Sequence, residues 1–224
     1  MEHYFSQKPS VLSERSEYET SVRGRRFRFT TDRQVFSREG LDRGTRVLLE
    51  SILDHQIIPQ FFRSESVRFL DLAAGYGPIG IILGHFYPQL QVTFSEINER
   101  ALALCELNAK DSFSKGSAHA RSGASGGSLA TFVAADGFDG LKDEHFDIIT
   151  LNPPMRTGKR QVQNLLKAAL EHLNESGILI TVIGKKQGAD SYAKFLNEMG
   201  RSERLNLDKG FEVRVTWRKT EASR

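Results

Sequence analysis

The chain has 224 residues, a mass of 25.2 kDa and a net charge of +3, from 31 Lys+Arg against 28 Asp+Glu, with a pI near 9.0. That length fits one large domain, or one domain with a small appendage, and it can bury a full core without disulfides or a structural metal. At 39% hydrophobic and 26% charged residues the composition is neither disordered nor fibrous. No apolar run approaches the roughly 18 residues of a membrane span, the opening Met1-Glu-His-Tyr-Phe-Ser lacks a secretory pattern, and the single cysteine, Cys105, cannot make a disulfide framework. A cytoplasmic protein is expected, and the mild basicity permits a nucleic-acid partner without requiring one.

Residues 1–66 read as an N-terminal extension. Tyr18 to Val22 and Arg25 to Phe29, around Arg23-Gly24, form a predicted hairpin. In its second arm Phe27 and Phe29 alternate with Arg26 and Arg28, so one face is apolar and the other cationic. That face, with Arg23 and Arg25, is a candidate RNA-phosphate contact. Asp42 to His55 reads as an amphipathic helix carrying Val47, Leu48 and Ile52.

From Val67 to residue 224 strands alternate with helices. Val67-Arg-Phe-Leu-Asp-Leu is a predicted buried strand and Ile79 to Phe86 a helix, with Pro78 in its first turn. Gln91 to Ser95 is the next strand, and Asn98 is placed to cap a helix running to about Lys110. Ser112 to Ser128, rich in Ser and Gly, reads as a flexible loop. Leu129 to Ala134 and Phe146 to Leu151 are strands. Gln161 to Leu173 is a helix ended by Gly177, Ile178 to Ile183 a strand, and Ser191 to Met199 a helix. Leu205 and Leu207, an Asp208-Lys-Gly turn and the alternating Phe211, Val213, Val215 and Trp217 close the chain as a hairpin. The pattern predicts an α/β fold, a mostly parallel sheet covered on both faces, with ligand at the carboxyl ends of the strands.

Gly75-Tyr-Gly77-Pro-Ile-Gly80 fits G-x-G-x-x-G between a predicted strand and a predicted helix. Glycine there lets backbone approach a ligand, and a helix amino-terminus favours electron-rich groups. Glu96 follows the second strand, 21 residues beyond Gly75, where a carboxylate can accept both ribose hydroxyls. A nucleoside-containing cofactor follows, either a dinucleotide or S-adenosylmethionine. Asn152-Pro153-Pro154-Met155 then ends a strand in two prolines that cannot continue a ladder. The Asn152 carbonyl at that sheet edge can accept hydrogens from an amino group on a planar base and hold it in line with an electrophilic methyl.

On these residues the chain is identified as a member of the class I S-adenosylmethionine-dependent methyltransferases. The run D-L-x-x-G-Y-G-P-I-G, then S-E-I-N-E-R-A-L, then N-P-P-x-x-x-G-K resembles most the branch that methylates the exocyclic amino group of guanine in small-subunit ribosomal RNA. His3-Tyr-Phe-Ser, Pro9-Ser, Val35-Phe-Ser and Asp42-Arg-Gly-Thr-Arg-Val-Leu-Leu-Glu are similar to that branch's opening motifs, and the length resembles its single-domain members. The resemblance implies a Rossmann-like, mostly parallel seven-stranded sheet with a C-terminal antiparallel hairpin, and 67–224 as the cofactor-binding catalytic domain. It implies cofactor contacts from Asp71, Ala73, Gly75, Gly77, Glu96, Ile97, Asp136, Gly137, Phe138 and Asn152. The target amino group would meet Asn152, Pro153, Pro154 and Met155. Two departures stand out: the family usually has Gly-Cys where this chain has Ala73-Ala74, and an aromatic residue at Met155.

The six histidines show no ligand spacing, so no metal is expected. Cys105 lies on an apolar helix face and reads as core, and Trp217 as core or edge packing. The alternatives are the same chemistry on protein glutamine or a small amine, an NAD-dependent oxidoreductase, and a non-catalytic RNA-binding module.

Overall fold

The computed structural model describes residues 12–33, 35–62, 66–116 and 130–219. The His3 and Pro9 motifs, and all of the 112–128 segment beyond residue 116, lie outside them. Two strands, β1 (Ser16–Val22) and β2 (Arg25–Thr31), make a separate antiparallel hairpin. Helix α1 (Arg43–Asp54) follows, its N-cap Asp42 accepting the Thr45 amide at 2.9 Å.

The main sheet is built from β3 (Val67–Leu72), β4 (Leu90–Glu96), β5 (Thr131–Ala134), β6 (Phe146–Leu151), β7 (Leu173–Gly184), β8 (Gly200–Asp208) and β9 (Phe211–Arg218). Their order is β5-β4-β3-β6-β7-β9-β8. The first five are parallel, and β9 runs antiparallel between β7 and β8. Helices α2 (Pro78–Phe86), α3 (Glu99–Gly116), α4 (Lys159–Glu171) and α5 (Ala189–Met199) cross between strands. This is the Rossmann-like seven-stranded sheet with an antiparallel C-terminal hairpin.

Both faces of the sheet are buried, so its central strands are apolar at nearly every position. Period-two alternation splits them between two cores. Phe69, Phe94, Ile148 and Ile180 pack with α1, α2 and α3. Leu70, Leu72, Ile149, Leu151 and Leu179 pack with α4 and α5. The first core also takes in Val22, Phe27 and Phe29 of the hairpin, so the extension shares a continuous interior with the sheet. Cys105 is fully buried there, and Trp217 packs at its margin with Arg201 over its ring.

Two boundaries differ from the sequence reading. Helix α3 continues to Gly116, into the segment read as loop. Helix α4 stops at Glu171, and Gly177 lies inside β7 rather than at the helix end. The reason is tertiary: fully buried Leu173 pairs with Phe146, which draws the chain into the sheet before the glycine is reached.

Two of the four arginines on the cationic face of the hairpin, Arg23 and Arg28, are ion-paired within the chain. Arg28 pairs with Glu19 at 3.0 Å and Glu17 at 3.8 Å, because Glu19 lies directly across the ladder from it. Arg23 pairs with Asp54, while Arg25 donates to the His85 carbonyl and lies over Phe86.

Candidate active site

Strand order reverses at β3. From there the chain steps outward to β4 and β5 on one side and to β6 and β7 on the other. The loops after β3 and β6 therefore diverge, and a crevice opens at their carboxyl ends. A cleft of about 800 Å³ lies there, within the usual range for a small-molecule site.

The side that follows β3 and β4, which the sequence reading gives to the cofactor, is built from backbone. The chain leaves β3 through Ala73 at φ 55°, Gly75 at φ 59° and Gly77 at φ 88°, the last serving as N-cap of α2 with Pro78 in the first turn. Gly77 is obligatory on two counts: its positive φ, and a Cβ there would lie 2.5 Å from the Cys105 sulfur. Glu96 braces the turn, its Oε2 accepting the Gly75 amide at 2.8 Å and its Oε1 the Asn98 amide at 2.9 Å. Burial raises its carboxyl above the ordinary range, and these backbone amides oppose the shift. A carboxylate offers about four acceptor positions, so Glu96 keeps acceptor capacity beyond these amides. Asn98 caps α3 as expected, accepting the Arg100 and Ala101 amides at 3.0 and 3.1 Å.

Ala73, Gly75, Glu96, Ile97, Asp136, Gly137 and Phe138 all line the cleft. Phe138 is stacked on His172 with ring centroids 4.0 Å apart, and Ser95 donates to the Gly137 carbonyl at 2.9 Å. Both contacts fix the loop that carries Asp136. Two sequence-predicted residues stand behind the wall instead. Gly77 packs on Cys105, and Asp71 is fully buried, accepting the Gly80 amide at 2.8 Å. Desolvation pushes Asp71 up to about 8, against the Gly80 hydrogen bond. Asp71 thus holds the first turn of α2 in place of a side-chain cap.

The opposite side is built from side chains. Asn152, Pro153, Pro154 and Met155 line the cleft, with Met155 opening a 3₁₀ turn to Thr157. The Asn152 amide nitrogen donates to Asp42 Oδ2 at 3.1 Å and to Thr45 Oγ1 at 3.0 Å. A carboxylate only accepts, so the amide can be turned only one way. Its NH₂ is held by α1 and its carbonyl oxygen is left for the cleft. Sequence reasoning missed Asp42 and Thr45 as site residues. The signal was present in the Asp42-Arg-Gly-Thr45 motif, where an N-cap acid and a helix residue also border the cleft.

The extension is tied to the glycine loop as well. Tyr18 and Tyr76 share a 2.6 Å hydroxyl contact. Asn108 of α3 accepts the Thr30 amide at 2.8 Å and donates to the Thr30 and Tyr76 carbonyls. Burial lifts both phenols, Tyr18 to about 12.

Among the described residues no group of three or more His, Cys, Asp or Glu could hold a metal, and no helix is long and apolar enough to cross a membrane. A glycine turn with open space at Gly75, a buried acid beside it and a half-apolar wall at Ile97 and Phe138 fit S-adenosylmethionine.

Fold and cleft together define a Rossmann-like methyltransferase that uses S-adenosylmethionine. The chain belongs to the methyltransferase small domain family, whose model matches residues 26–214. It is 33% identical to the Bacillus subtilis protein YbxB over 88% of this chain and 89% of that one. It is 32% identical to the ribosomal RNA small subunit methyltransferase C of Pseudomonas entomophila over 64% of this chain. A T. thermophilus 16S rRNA N2 G1207 methyltransferase, solved in complex with AdoMet and guanosine, superposes at TM-score 0.73 with 22% identity over 94% of this chain. At that identity the likeness speaks for the fold. The chain spans 37% of the Pseudomonas relative and 52% of the T. thermophilus chain.

Proposed function

We propose that this protein methylates the exocyclic N2 amino group of guanine in small-subunit ribosomal RNA, in the cytoplasm. The observation that carries the reading is the fixed polarity of Asn152: its amide nitrogen is committed to Asp42 and Thr45, so an acceptor faces the cleft beside two prolines. An acceptor there selects a target that donates hydrogens, such as an aryl amine. The names of the Pseudomonas and T. thermophilus relatives support the choice of ribosomal RNA and N2.

S-adenosylmethionine, when bound, supplies an electrophilic methyl on a positively charged sulfur. The chain's own work is positioning. Asn152 accepts a hydrogen bond from the amino group and aims its lone pair at the methyl, and the contact strengthens as the nitrogen gains positive charge. Pro153 and Pro154 fix the backbone that carries Asn152. Met155 covers one face of a base drawn out of its stack. Direct displacement leaves a methylated nitrogen, which releases one proton to solvent, and it requires no covalent intermediate on the protein.

A second reading, methylation of a protein glutamine amide, is favoured by the 29% identity to a ribosomal protein uL3 glutamine methyltransferase of Xanthomonas campestris over 55% of this chain. Labelled methyl transfer to unmethylated small-subunit RNA, with ribosomal protein as the parallel acceptor, separates the two. Recovery of N2-methylguanosine by mass spectrometry is the expected result, and label only in protein overturns the RNA reading.

A further inference from the structure

A second cleft of about 420 Å³ opens beside the first, lined by Met155, Lys159, Gln187, Gly188, Ser191 and Tyr192. Met155 and Gln187 border both clefts, so one cleft leads into the other across the residue proposed to cover the target base. Cations outnumber acids around it: Lys159 lines it, Arg160, Lys185 and Lys186 adjoin its lining residues in sequence, and the exposed Asp190 lies between Gly188 and Ser191. Between Asp147 and Glu171 the sequence has no acid, and between Glu175 and Asp190 it again has none. The cations in those two stretches include Lys159 and Arg160 at the start of α4, and Lys185 and Lys186 in the 3₁₀ turn that also carries Gln187. All four are exposed, and none makes an ion pair among the described residues.

Two hairpin arginines are the opposite case: Arg28 faces Glu17 and Glu19, and Arg23 pairs with Asp54. Four unneutralised cations cost folding stability through mutual repulsion unless a polyanion faces them. A single-stranded RNA is such a polyanion, with a phosphate at every nucleotide and a base that can lie in a cleft.

We propose that this second cleft is a docking subsite for the nucleotide next to the target base. Lys159, Arg160, Lys185 and Lys186 hold its phosphates, and the base lies between Met155 and the face presented by Ser191 and Tyr192. The proposal rests on the RNA reading and adds the path of the strand. The subsite accounts for selection of a position within a long RNA: the neighbouring nucleotide is gripped as well.

The test measures binding of a short fluorescein-labelled single-stranded RNA containing one guanosine, between about 50 and 200 mM salt. Lys185→Gln with Lys186→Gln, and separately Lys159→Gln with Arg160→Gln, are compared with the wild type and with Arg23→Ala plus Arg28→Ala, the two ion-paired arginines of the hairpin. Each lost phosphate contact on a single strand lowers the salt slope by about 0.7. Each cleft double variant should therefore lose about 1.4 in slope and bind more weakly, and the Lys185/Lys186 variant, whose residues do not line the main cleft, should keep S-adenosylmethionine affinity and competition by free guanosine unchanged. The hairpin variant removes the same charge and should keep the wild-type slope.

A cleft variant with the wild-type slope overturns the subsite, and so does an equal loss from the hairpin variant, which would make the effect one of net charge. Wild-type protein that methylates RNA while the cleft variants keep their slope removes the subsite alone. Wild-type protein that neither binds nor methylates RNA removes the functional reading and the subsite together.

Discussion

The two sides of the main cleft are held in place by different means. The cofactor side is local in sequence: Asp71 reaches Gly80, Glu96 reaches Gly75 and Asn98, and nearly every contact ends on a backbone amide. The target side depends on one side chain, Asn152, oriented by residues 110 and 107 positions earlier. Backbone donors survive most substitutions. A side-chain relay fails when any member is removed. Helix α1 and its cap are therefore part of the proposed target side, and damage to them should appear in turnover before it appears in cofactor binding.

The largest effect should come from Asn152→Ala. The hydrogen bond proposed for it belongs mainly to the transition state, so kcat should fall about 10²–10³-fold. Cofactor affinity should stay near wild type. Single-turnover assays on unmethylated RNA, with calorimetry for the cofactor, read the two quantities apart. Wild-type turnover in this variant would reduce the double-proline turn to a strand terminator and end the proposed mechanism.

Glu96→Gln probes the other side. Gln keeps one acceptor for the Gly75 or Asn98 amide but loses the charge offered to the ribose. A hydrogen bond to a charged group is typically worth about 1.5–3 kcal/mol, so cofactor affinity should drop about 10–150-fold. The rate of the bound complex should change little. A variant with unchanged affinity and reduced kcat would exchange the roles assigned to the two sides.

The contrast also explains what could be read before the fold was known. The glycine turn, Glu96 and the helix caps at Gly77 and Asn98 lie within one strand-turn-helix-strand unit, where spacing alone fixes geometry. Asn152 was visible because two prolines mark it. Its anchors at Asp42 and Thr45 were not, because nothing local records that α1 starts against the turn after β6. The same limit applies to the hairpin. An Arg-rich strand looks basic in sequence, and only the register with β1 shows Glu19 across from Arg28. Gly177 misled for a similar reason, since Leu173 had already taken the chain into the sheet.

Asp42→Ala tests the relay at its root. Loss of an N-cap aspartate costs about 0.5–2 kcal/mol of stability. Release of the Asn152 amide should lower kcat about tenfold, the equivalent of roughly 1.4 kcal/mol, with Thr45 still holding one hydrogen. Thr45→Val removes the other acceptor without touching the cap, so it should lower kcat while leaving the melting temperature closer to wild type. If both variants lose stability but keep kcat, Asn152 is oriented by something other than α1.

The smallest predicted effect is a gain. Ala73 sits at φ 55°, in the left-handed region, at a position bordering the cofactor side of the cleft. A Cβ there costs about 1–2 kcal/mol relative to glycine. Glycine gives back roughly 0.5–1 kcal/mol through the greater freedom of the unfolded chain. Ala73→Gly should therefore stabilise the ligand-free protein by about 0.5–1 kcal/mol, or about 1–4 °C in Tm for a chain of this size. It also removes a methyl where backbone and cofactor approach, so the further rise in Tm on adding S-adenosylmethionine should grow. If Tm rises but the cofactor-induced increment shrinks, the left-handed alanine holds the turn in the shape the cofactor needs, and the strain has a function. If Tm falls, the turn carries no strain at Ala73, and the cofactor side is as dependent on a single side chain as the target side.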